Sequence, residues 1–144
     1  MPNAAVRREL KYRQPEARKE NYMKRTILCI SFDEPVSASR RSALEEAGYT
    51  VIAATRVADA LEMLSSVVFD LMIIGHRFSA ADKHNLAAEA REKGIPVLLI
   101  CGASADAEIP ADVRVYALEG IGGMVTAVAK LLPPIYKAAT ARAA

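Results

Sequence analysis

Asp33, Glu34, His76, Cys101 and Glu119 are residues of this 144-residue chain whose types could do chemistry, and each stands at or just beyond the end of a short apolar run. An acidic pair such as Asp33-Glu34 offers hard oxygen ligands to Mg²⁺ or Ca²⁺. A histidine and a cysteine at the ends of adjacent strands, His76 and Cys101, could hold a metal or make a reactive thiolate. The spacing argues for plainer roles. No Cys-x-x-Cys or His-Glu-x-x-His pattern supports a metal, and two acids before Pro35 suit the cap of a helix. The expectation is a surface loop histidine at His76 and a half-buried thiol at Cys101. His84 is expected at a helix surface and Cys29 inside the core. The sequence offers no nucleophile–base pair and no Gly-rich phosphate loop. It therefore predicts no enzyme activity, no catalytic residue, no metal site and no cofactor.

The elements that position these residues are legible from periodicity. Five apolar runs, Thr26–Ile30, Thr50–Ala54, Leu71–Ile74, Pro96–Ile100 and Val113–Ala117, are too short for helices and suit strands buried on both faces. Between and after them, segments with helical spacing run over Val36–Ala47, closed by Gly48; Val57–Val67; Ala80–Lys93, closed by Gly94; and Ile121–Leu132, stopped by Pro133-Pro134. Strands alternating with helices imply right-handed crossovers and a parallel sheet. The expected class is a doubly wound α/β domain with its site outside the carboxyl ends of the strands.

Ile27-Leu28-Cys29-Ile30 leading to Asp33-Glu34-Pro35, then Leu44-Glu45-Glu46-Ala47-Gly48-Tyr49, Ala58-Asp59-Ala60-Leu61-Glu62 and Phe69-Asp70-Leu71, resembles a response-regulator receiver domain from about Lys24 to Leu132. The resemblance implies a flavodoxin-like five-stranded sheet of order 2-1-3-4-5. It also implies phosphorelay chemistry, in which an Asp ending the third strand accepts a phosphoryl group from a partner's phosphohistidine. An acidic pair after strand one holds Mg²⁺. A hydroxyl after strand four and a Lys after strand five meet the phosphoryl oxygens.

Carried over residue by residue, that machinery is mostly missing. The acceptor position is Gly75, the first acid of the pair is Phe32, the hydroxyl position is Cys101, and the lysine position is Glu119. Asp33, Glu34 and the switch-aromatic Tyr116 match the pattern. Asp70 lies roughly 16 Å below Gly75 at the strand rise of about 3.3 Å per residue, so it cannot substitute; Asp82 lies beyond the loop. The Phe32 ring is expected to fill the space left at Gly75 as an apolar plug, and Glu119 to repel an anion there. With 17 residues between Cys101 and Glu119, the fourth helix is expected to be truncated. That weakens the family's usual dimer surface and leaves Tyr116 as an edge aromatic or a partner contact.

Length and an apolar content of 52% fit one domain over 24–132, preceded by a basic tail, 1–23, and followed by a short tail, 133–144. The first 25 residues carry eight Lys or Arg and three Glu, a formal +5 that leaves −3 for the rest. The tail is expected to be solvated, and it is the only part of the chain whose charge would suit nucleic acid as a partner. Two thiols on strands that are not neighbours suit a reducing compartment. Neither a membrane span nor a signal-peptide core is visible, so a cytoplasmic protein is expected, and the receiver resemblance implies a bacterial one.

Two functions follow as expectations. The first is a degenerate receiver that binds a regulatory protein, whether kinase, receiver or transcription factor, without accepting phosphate. The alternative is a small-molecule or redox-responsive domain using Cys101 and His76 in the strand-end crevice.

Overall fold

Thr26–Ile30 forms β1 and pairs in parallel with Thr50–Ala54 (β2) on one side and Leu71–Ile74 (β3) on the other. Val97–Cys101 (β4) then pairs with β3, and Val113–Tyr116 (β5) with β4. The sheet order is 2-1-3-4-5, all parallel. The computed structural model describes residues 24–102 and 104–134; the basic tail and the C-terminal tail beyond residue 134 lie outside them. Among the described residues no helix is long and apolar enough to cross a membrane.

Helices α1 (Glu34–Glu46), α2 (Val57–Ser66), α3 (Ala80–Glu92) and α4 (Gly120–Leu131) connect or follow the strands. Asp33 caps α1 by accepting from the Val36 amide at 3.1 Å, with Pro35 in the first turn. Ser79 caps α3 through the Asp82 amide in the same way. Gly48 and Gly94, with φ of 107° and 72°, reverse the chain after α1 and α3 in a conformation that costs glycine little. Among the described residues no α-helix joins β4 to β5. A 3₁₀ turn, Ser104–Glu108, takes its place, so the truncation of the fourth helix goes to a single short turn.

Because successive strand residues point to opposite faces, the core is split in two. Ile27, Cys29, Leu71, Ile73, Leu98, Ile100 and Val115 pack with Leu44 of α1 and Met124 and Val128 of α4. Leu28, Ile30, Met72, Ile74, Leu99 and Cys101 pack on the other side with Leu64 of α2 and Leu86 of α3. The Tyr49 hydroxyl, deep in the first cluster, donates to the Leu132 carbonyl and ties the start of β2 to the end of α4.

At the opposite end of the sheet from the expected site, Asp70 accepts from the Thr26 amide at 2.8 Å. It is a structural acid there, out of reach of Gly75.

Candidate functional site at the carboxyl ends of the strands

The register that pairs Ile30 with Ile74 brings the next residues of those strands, Ser31 and Gly75, side by side. A β-carbon on Gly75 would lie 3.5 Å from Ser31 Cα, 3.0 Å from the Ile30 carbonyl and 3.1 Å from Arg40 Nη1. Arg40 reaches this place because it stands one turn before Leu44 on the inward stripe of α1. Its Nη1 donates to Ser31 Oγ at 2.9 Å. The space beside Gly75 is therefore occupied by a guanidinium.

This overturns the expected apolar plug. Phe32 is 53% exposed and meets Phe78 edge-on, with ring centroids 5.8 Å apart. Strand alternation is the reason: Ser31 continues the face of Ile27 and Cys29, whereas Phe32 continues that of Leu28 and Ile30. The residue beside Gly75 is Ser31, and the residue filling the gap is Arg40. Neither was singled out from sequence.

Above the mouth, Arg77 bridges the two loops. Its guanidinium carbon lies 5.3 Å from the Phe32 ring centroid, and its Nη1 lies 3.4 Å from Asp33 Oδ2. Asp33 thus spends one oxygen on the α1 cap and the other on Arg77. Glu34 is exposed in the first turn of α1.

A divalent cation does not fit this arrangement. The side chains facing Gly75 are a hydroxyl and a cation, and of the two acids that match the receiver pattern Asp33 is turned into a helix cap and an ion pair while Glu34 is exposed in the first turn of α1. Among the described residues no group of three His, Cys, Asp or Glu side chains is placed to hold a metal ion.

Glu119 also departs from expectation. Its Oε2 accepts from the Tyr116 amide at 3.1 Å, closing the 3₁₀ turn Ala117–Glu119. It lines a groove at the β5 edge with Arg114, Thr126 and Lys130. Its carboxylate is used locally and is not the group that occupies the crevice. Tyr116, the last residue of β5, is 59% exposed at the sheet edge.

On the other side, His76 packs over Gly102, where an added β-carbon would meet its Cδ2 at 2.6 Å. Its Nδ1 is buried with no hydrogen-bond partner among the described residues. Burial foremost, then the charges of Arg40, Lys83 and Arg77, draw its pKa down, while Asp106 opposes them. Cys101 is buried at the end of β4; its thiol donates to the Leu99 carbonyl, and burial, with Asp106 adding to it, pushes its pKa up. A reactive thiolate needs the reverse. Burial likewise raises the Cys29 thiol. His84 is exposed, as its helix spacing predicts.

A buried ion pair, absent from the sequence reading, fixes the β4–β5 connection. Lys83 Nζ lies 2.7 Å from Asp106 Oδ1, with side chains 4% and 9% exposed. Asp106 Oδ2 accepts from the Gly102 amide at 3.1 Å. The connection that lacks a helix is thus bolted to α3 by charge.

No protein-family model and no curated protein matches the chain. Its fold, however, is similar to that of response-regulator receiver domains of known structure. A receiver protein from Sinorhizobium medicae WSM419 is 28% identical, with a TM-score of 0.68 over 77% of this chain and 96% of that one. The response regulator TrrA from Thermotoga maritima, solved in complex with Mg²⁺ and BeF, is 23% identical over 75% and 99% of the two chains, TM-score 0.67. The receiver domain of the sensor histidine kinase PA1611 from Pseudomonas aeruginosa PAO1, with magnesium coordinated in its active-site cleft, is 15% identical over 74% and 96%, TM-score 0.64.

Proposed function

We propose that this chain is a degenerate receiver that acts in two-component or phosphorelay-type signalling as a protein-interaction module, without accepting a phosphoryl group. The observation that carries the reading is the Arg40 guanidinium beside Gly75. A receiver switch needs a carboxylate nucleophile and a divalent metal at that place. Here the nucleophile is absent, and a fixed cation held by Ser31 disfavours a second cation a few ångströms away.

The module has no catalytic residue in this reading and needs no cofactor. Its partner is a regulatory protein, a kinase, a receiver or a transcription factor, and recognition is independent of phosphate. Solvent-facing apolar side chains around the carboxyl end of the sheet, Phe32, Tyr116 and the fully exposed Leu118, support a contact surface there.

The test joins chemistry to capture. The full chain is incubated with acetyl phosphate and Mg²⁺ and its intact mass measured; no phosphoryl adduct is expected. Capture from bacterial lysate, with and without acetyl phosphate, is expected to recover the same two-component protein in equal yield. A stoichiometric adduct, or capture that requires acetyl phosphate, would overturn the reading.

A further inference from the structure

Among the described residues Arg40 is the one charged residue on the wall of a cavity of about 320 Å³ between α1 and α4, beside the carboxyl ends of β4 and β5. Its other walls are mostly apolar, with Val36 from α1, Ile100 and Val115 from the sheet, and Ile121 and Met124 from α4. Exposed apolar surface gathers here too. Of the six large apolar side chains that are exposed among the described residues, Val36, Tyr116 and Ile121 line this cavity.

The guanidinium has a hydroxyl partner in Ser31 Oγ, but among the described residues no carboxylate lies within ion-pair distance of it. Burial of the group lowers its pKa, the mark of a charge partly withdrawn from water, while Cys29 and the more distant Asp33 carboxylate oppose the shift. A cation in that position gains from an anion that shares its apolar surroundings.

We propose that this cavity binds a small organic monocarboxylate, with its apolar body against Val36, Ile100, Ile121 and Met124 and its carboxylate paired with Arg40. Ligand pockets run to about 300–1,000 Å³, with apolar walls and a few polar groups that fix orientation. This cavity has that make-up at the small end of the range. The same guanidinium holds Ser31 beside Gly75, so occupancy of the cavity is felt at Ser31 and Gly75 as well. The site is separate from the Cys101–His76 crevice, which lies on the other face of the sheet, and it does not depend on the phosphate-independent reading.

The experiment is a titration of the ¹⁵N-labelled full chain followed by two-dimensional NMR. Three probes are used: octanoate, octanol, which keeps the body without the charge, and acetate, which keeps the charge without the body. Octanoate is expected to shift the amides of Val36, Gly120, Ile121 and Met124, and those of Ser31 and Gly75. It should bind at least tenfold more tightly than either control. Arg40→Gln is expected to lower octanoate affinity at least tenfold and leave octanol unchanged. Ile121→Trp, at a half-exposed position on the cavity wall, obstructs the space with Arg40 intact and is expected to abolish the shifts. Shifts confined to other surfaces, equal binding of octanoate and octanol, or undiminished octanoate binding to a folded Ile121→Trp protein would each overturn the proposal.

Discussion

The Nη1 atom of Arg40 stands 3.1 Å from where a β-carbon on Gly75 would lie, and the same nitrogen is held by Ser31 Oγ at 2.9 Å. Two residues just beyond the ends of neighbouring strands and a side chain from α1 thus form one unit. The small residue at Gly75 leaves room, and the guanidinium takes it. The Ser31 hydroxyl supplies the acceptor that a partly buried cation requires.

Gly75→Asp does not regenerate an acceptor. Its β-carbon would press on the Ile30 carbonyl at 3.0 Å and on Arg40, so the guanidinium must shift and then pairs with the new carboxylate. Overpacking of a well-filled site costs roughly 1–3 kcal/mol, with the new ion pair offsetting a part. A lowered urea midpoint is expected, with no phosphoryl adduct after acetyl phosphate and Mg²⁺. An adduct in high yield would mean that Arg40 does not control the site.

Lys83→Met is expected to be among the most damaging single changes. It leaves the buried Asp106 carboxylate without its cation, at a cost of roughly 3–5 kcal/mol for a buried pair. Lys83→Met combined with Asp106→Leu removes both charges and should recover a part of that loss. The Gly102 amide then loses its acceptor, at about 1–3 kcal/mol, so recovery is incomplete. Chemical denaturation of the two variants decides it: a double variant less stable than Lys83→Met would refute the electrostatic account.

Stability should fall on mild acidification, through His76. Its pKa is drawn down in the folded state, so the native protein binds fewer protons than the unfolded chain. The stabilisation is present above the unfolded value of about 6.5 and is lost as pH falls from there towards and through the lower folded value. Denaturant midpoints between pH 8 and 5 are expected to drop in the native protein and to drop less in His76→Gln. Parallel curves would assign the titration elsewhere.

Asp33→Ala tests the acid that matches the family pattern. Loss of the α1 cap costs about 1 kcal/mol, and the exposed pair with Arg77 adds at most a similar amount. Millimolar Mg²⁺ is expected to leave the melting temperature of the native chain unchanged. A Mg²⁺-dependent rise that Asp33→Ala removes would restore a metal role for this residue.

The fold was legible because its signals are local. Thr26–Ile30, Thr50–Ala54 and Leu71–Ile74 read as strands to the residue, since short apolar runs closed by polar or glycine positions admit little else. Helix starts were less sharp. Glu34 and Pro35 belong to α1, as a first turn capped by Asp33, although the apolar spacing begins at Val36. Of the site, residue type alone says one thing: Gly75 has no side chain and cannot be a nucleophile in any fold.

What occupies the site was not legible, for a physical reason. A strand buried on both faces carries no alternation of apolar and polar residues, so the sequence does not say whether Ser31 or Phe32 shares a face with Gly75. The pairing of Ile30 with Ile74 decides that, and it is a tertiary fact. Arg40 was hidden for a related reason. On α1 it reads as a surface cation, and its inward aim follows from the packing of Leu44 one turn later against the sheet. Lys83 and Asp106, 23 residues apart, are brought together by the missing helix between β4 and β5. Residue types and the succession of strands and helices were therefore settled by the chain itself, because hydrophobic patterning acts over a few neighbours. Which side chains meet at the carboxyl end of the sheet was decided by register and helix rotation, which depend on contacts between distant segments.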